Sequence, residues 1–193
     1  MHCPPTKDSP MPFRFRCLAP ALLALALVVP AVHAGEPQEK PTGTATMETA
    51  SVPAWLVGTW TLVRCDNVYP DGHRVELYGP HPQGLWMIDG HGHYLMHIAR
   101  VQRTPFAAGD KSKGTAEEYR AASLDSNSHF GSIRVEDNRL VTHIDQASFP
   151  NWNGRDGKSS FTHDGKQLTY IVAKPSSGSG DGAHGEVVWQ RVD

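Results

Sequence analysis

The chain has 193 residues and a formal net charge of −2, from 18 basic and 20 acidic side chains. That length suits one domain, and a mildly acidic chain without a basic cluster excludes an electrostatic footprint for nucleic acid or anionic lipid. Of its three cysteines, Cys3 and Cys17 fall within the first 34 residues, so a domain lacking that segment keeps only Cys65 and forms no internal disulfide.

Residues 1–34 read as a secretory leader. Arg14 and Arg16 form a positive segment, Cys17 to Val29 is an almost unbroken Ala/Leu/Val run, and Val32-His33-Ala34 supplies the small residues of a cleavage site. The run is shorter than the roughly 20 residues a helix needs to span a bilayer, and no second one follows. Met11 begins a better leader than Met1 does, so either is open as the start. Cys17 lies at the beginning of the run, whereas a lipid-modified cysteine would lie at its end, so the expected product is soluble, periplasmic or secreted. Cleavage leaves 15 basic and 19 acidic side chains and a single thiol, Cys65. Residues 35–52 (GEPQEKPTGTATMETASV) have the composition of a disordered tether.

The fold is expected over 53–193. From Pro53 onward, short β-branched and aromatic runs alternate with turn dipeptides, the pattern of an antiparallel meander. Strands are expected near 58–66, 73–79, 84–89, 92–98, 127–136, 139–147, 158–163, 166–173 and 185–192. Asp71-Gly72, Asp89-Gly90, Asp137-Asn138, Asn153-Gly154 and Asp164-Gly165 mark turns between them, being pairs that tolerate left-handed backbone. Thr115 to Ala122 (TAEEYRAA) has a capping residue and acids in its first turn, which predicts one short helix in a long connection over 99–126. Such a connection often lids a barrel mouth. Lys174 to His184 reads as a Gly/Ser-rich hairpin end without fixed structure. About eight to nine strands joined by near-sequential hairpins favour an all-β, antiparallel up-and-down barrel, since closure removes exposed edges. A sandwich is the alternative.

Leu56-Val57-Gly58-Thr59-Trp60-Thr61-Leu62-Val63 carries a Gly-x-Trp signature, in which Gly bends the chain and Trp closes a barrel floor. With GPHPQG at 79–84, FAAGD at 106–110, GTAEEYRAA at 114–122, FPNW at 149–152 and VWQR at 188–191, it resembles the bacterial and fungal lipocalin-like domain family. The resemblance runs in order across 53–193. It implies a calycin-type barrel that binds a small molecule.

Alternation places His129, Gly131, Ile133 and Val135 on one face, expected to be the inner one. Val141, His143 and Asp145 share a face of the following strand, which would set His143 beside His129. Such a pair would orient a polar ligand head or act as acid and base; a buried, water-bridged polar network is the bland alternative. Strands 84–89 and 92–98 are apolar on both faces, and cover of the outer face by the 99–126 connection is the simpler account. The expected ligand-contacting set is Trp60, Trp86, Met96, His97, His129, Ile133, His143, Phe161 and Tyr170. His91, His93 and His97 lack acidic or cysteine partners at ligand spacing, so no metal is expected. Cys65 inside a strand reads as a small hydrophobe. The absence of a nucleophile elbow, Walker loop or dinucleotide fingerprint gives no sign of a cofactor.

Three functions follow. The first is an exported barrel that holds a small apolar or amphipathic molecule. The second is a cofactor-free isomerase or cyclase in which His129 and His143 move protons. The third is a structural or interaction module with a filled core. Oligomeric state and ligand identity are left open.

Overall fold

Where the chain must reverse, its backbone turns left-handed. Asp137 and Asn138 both have positive φ (50° and 55°), which makes the two-residue turn whose twist suits a hairpin. The computed structural model describes residues 52–176 and 182–192. The expected leader 1–34, all of the tether but Val52, and residues 177–181 of the Gly/Ser-rich loop lie outside the described residues.

Nine strands form: β1 (Gly58–Val68), β2 (Arg74–Glu76), β3 (Gln83–Ile88), β4 (His93–Ala99), β5 (Ser126–Glu136), β6 (Arg139–Ala147), β7 (Arg155–His163), β8 (Gln167–Val172) and β9 (His184–Arg191). All pair antiparallel with their neighbours, in the order β2-β1-β3-β4-β5-β6-β7-β8-β9, and β9 returns to pair with β1. Eight strands therefore close into a barrel. The ninth, β2, is a short appendage. β1 meets β3 through Gly58–Thr61 and β2 through Asp66–Val68, so β2 continues the same edge beyond the reach of β3. Arg74 holds it there by pairing with Asp66 (3.1 Å) and Glu186 (2.8 Å). The expected strand 73–79 is thus cut to three residues; Leu77 N–H still donates to the Cys65 carbonyl (3.1 Å), and Tyr78 leaves the ladder.

The reversal after β3 is wider than the Asp89-Gly90 pair predicted. It spans Asp89 to Gly92, the left-handed residue is Gly92 (φ 84°), and the Asp89 carboxylate accepts from the backbone N–H of His91 and His93 (both 2.8 Å). The expected helix forms as α1 (Ala116–Leu124), with Thr115 and Glu118 in a reciprocal capping box. It buries none of its own residues.

Because every strand is antiparallel, one end of the barrel collects the tight turns 89–92, 137–138 and 164–166, while the other collects the connections 69–82, 100–125 and 148–154 and the segments 173–176 and 182–183. The tight-turn end is packed shut. Leu56, Trp60, Leu168 and Trp189 are fully buried there with Ile88 and Ile133. Trp60 Nε1 donates to the Leu56 carbonyl (3.0 Å). Arg191 lies 5.4 Å from the Trp60 ring centroid, and its guanidinium donates to the carbonyls of Trp55 (2.8 Å) and Val57 (2.9 Å). Gly58 is needed at this clasp: its φ is +134°, and a Cβ would come 3.1 Å from Arg191 Nη2. Trp55 stacks on His163 (4.3 Å) and Phe161 (5.4 Å), sealing the floor.

Candidate functional site

Above that floor the barrel holds a cavity of about 300 Å³, at the lower end of the range for ligand pockets. All eight barrel strands contribute inward residues. Cys65 and Asn67 come from β1, Trp86 from β3, Tyr94, Met96 and Ile98 from β4, and His129 from β5. Leu140, Thr142 and Ile144 come from β6, Gly157 and Ser159 from β7, Tyr170 and Val172 from β8, and Gly185 and Val187 from β9. At the open end the lining passes to Tyr78, Trp152, Arg155, Asp156, Lys174 and Ser176.

The interior polar groups are held uncharged. Burial lowers the pKa of His129 to about 4, so near pH 7 it is a neutral imidazole. Its Nδ1 lies 2.8 Å from the Tyr94 hydroxyl, its only hydrogen bond among the described residues, which leaves Nε2 for the cavity. Burial first, and the charge of Asp145 second, push the Tyr94 phenol up. Burial pushes Tyr78 and Cys65 up to about 12 each, and Tyr170 also upward. A thiol held so far from its anion is a poor nucleophile. Trp152 connects wall and rim: its ring meets His129 edge-on (5.9 Å), and its Nε1 donates to Ser176 Oγ (2.8 Å).

Of the expected set, Trp86, Met96, His129 and Tyr170 line the cavity. Trp60, Ile133 and Phe161 pack in or against the floor instead. His97 and His143 lie on the outer surface. His97 is opposite Leu85 in the ladder while Met96 is opposite Trp86, so Met96 and His97, being adjacent, cannot both face inward. His97 Nδ1 instead meets Ser128 Oγ (2.6 Å). For His143 the parity is fixed by the Asp137-Asn138 hairpin, which sets Val135 opposite Leu140 and Ile133 opposite Thr142. Even-numbered residues of β6 therefore point inward. His143 pairs outside with Asp156 (2.8 Å) and lies 3.6 Å from Asp145, so the paired imidazoles expected from alternation are not formed. Gly131 marks a bulge beside Phe130; a Cβ there would come 2.0 Å from the His143 carbonyl oxygen.

The 99–126 connection does not act as expected either. Between residues 99 and 126 no side chain lines the cavity, and Leu85 (46%), Met87 (51%), Leu95 (53%) and Phe130 (46%) remain exposed on the outer face. The segment packs mainly on itself, with Phe106 against Tyr119 (5.4 Å) and Glu118 accepting from Ala107 N–H (2.8 Å). Tyr94 was readable from Met96, two residues away on the same strand face. Tyr78 and Trp152 belong to irregular segments, where no period predicts orientation. Among the described residues no group of three or more His, Cys, Asp or Glu side chains is placed to hold a metal ion, and no helix is long and apolar enough to cross a membrane.

A closed eight-stranded antiparallel barrel, floored at one end and hollow toward the other, has an interior wide enough to hold one small ligand. The sequence matches the lipocalin-like domain over residues 57–192, and the chain belongs to that family. No match was found among curated proteins. Among solved structures it is similar to a lipocalin-like protein from Bacteroides uniformis, at 10% identity over 72% of this chain and 99% of that one, with a TM-score of 0.38. It is also similar to the lipoprotein YedD from Klebsiella pneumoniae, at 11% identity over 75% of this chain and 77% of that one, with a TM-score of 0.36.

Proposed function

We propose that this is an exported binding protein that carries a small, largely apolar molecule inside its barrel. The observation that carries the reading is the 300 Å³ cavity above a sealed floor, lined by aromatic and aliphatic side chains with a few hydrogen-bonding groups. A core meant only for stability would fill that space, since an empty apolar volume costs stability in proportion to its size. Export rests on residues 1–34, whose charged start, apolar run and small-residue site make a leader. Native mass spectrometry of the protein purified from its own host tests the binding role. The expected result is a small mass excess that disappears on denaturation; bare protein that takes up no hydrophobic dye would overturn it.

A further inference from the structure

Resting on that binding role, we infer that the cavity selects an uncharged, ring-bearing molecule with one hydrogen-bonding group, and discriminates against carboxylates and amines of equal size. The placement of charge carries this. Among the described residues, Arg155, Asp156 and Lys174 are the only charged side chains in the lining, and all three are exposed at the rim. Farther in, Cys65, Tyr94, His129 and Tyr170 are titratable, as is Tyr78 toward the open end, and burial drives each toward its neutral form, the acids upward and the base downward. An environment that refuses charge to its own groups imposes the same desolvation penalty on a guest. Among the described lining residues, no interior carboxylate or guanidinium offsets it.

The walls favour rings. Trp86 stands at 88° to Tyr94 (6.3 Å) and 68° to Tyr170 (5.8 Å), so adjoining walls are set nearly at right angles. A flat guest meets one ring edge-on while lying along the next, both favourable aromatic geometries. The volume admits one or two fused rings. His129 Nε2, the ring nitrogen not engaged by Tyr94, and the Tyr78 hydroxyl are the groups that receive a phenol, ketone or ring nitrogen.

Calorimetric titration near pH 7 with 2-naphthol, 2-naphthoate and 2-(aminomethyl)naphthalene tests the selectivity, because the three share a ring system and differ in charge. The expected result is 2-naphthol binding at least about tenfold more tightly than either ion. His129→Phe and, independently, Tyr78→Phe should each weaken 2-naphthol by about three- to tenfold. Tyr78 lies off the ladder, so its variant reads out even if the first fails to fold. An ion that binds as tightly as 2-naphthol would overturn the selectivity and leave the binding role standing. No heat from any probe, with bare protein in the mass spectrometer, would overturn both.

Discussion

The two ends of the barrel are built from different material. At the floor the connections are two to four residues long, and the side chains are interlocked: Trp60 on Leu56, Arg191 on Trp55 and Val57, Trp55 on His163. At the mouth the connections are long; Trp152 Nε1 ties one to another at Ser176, and Arg100 ties a further pair at the Leu77 carbonyl (3.0 Å). The interlocked contacts are concentrated at the floor, and the proposed binding space lies away from them. Local stability of this kind varies across a structure, with binding elements drawn from its weaker end.

Three measurements sharpen that contrast. The largest effect is expected at the floor. Trp60→Ala removes a fully buried ring together with its hydrogen bond, and should lower unfolding free energy by about 3–5 kcal/mol in a denaturant titration. A loss under about 1 kcal/mol would break the comparison.

The next effect belongs to the cavity wall. Folding lowers the His129 pKa from the ordinary 6.5 to about 4. Between those values the unfolded chain takes up a proton that the folded chain refuses, so this contribution is complete above about pH 6.5 and falls as pH drops toward 4. The full loss is about 3 kcal/mol, an upper value for a side chain that is not wholly buried. His129→Phe should flatten that slope in unfolding curves measured across the window. An unchanged slope would mean that the imidazole is already hydrated.

The smallest stability effect is expected at the rim. Trp152→Phe keeps a ring beside His129 and deletes the Nε1 donor to Ser176 together with the second ring of the indole. Unfolding free energy should change by less than about 0.5 kcal/mol, while stopped-flow dissociation of 2-naphthol speeds up several-fold. Equal damage to stability at residues 60 and 152 would remove the distinction between floor and mouth.

Much of the floor was legible in the sequence and much of the mouth was not, for a physical reason. Floor turns are short and demand particular backbone, so Asp137-Asn138 and Asp164-Gly165 announce themselves, and LVGTW marks where the first strand begins. The barrel follows from the spacing of such turns. Side-chain direction is also determined, but only when parity is carried across each hairpin. Following Ile133 through the two-residue turn leads to Thr142 and excludes His143, whereas treating β6 by itself leaves both faces open. The rim has no such rule. Tyr78 reaches the cavity because β2 ends at Glu76, and Trp152 because a short turn at Pro150–Trp152 follows β6. Both depend on tertiary contacts that local pattern does not encode.

Cys65, on the cavity side of β1, gives the barrel an internal clock. It is the one thiol after residue 34, it lines the binding space, and its pKa of about 12 leaves almost no thiolate near neutrality. Its reaction with a thiol reagent is therefore slow, and its rate depends on how readily the reagent reaches the sulfur through the cavity. Labelling followed by mass spectrometry converts that rate into the fraction of time the sulfur is accessible. A guest seated against β1 slows the clock, so occupancy becomes readable as a chemical half-life even for a molecule with no spectroscopic signal.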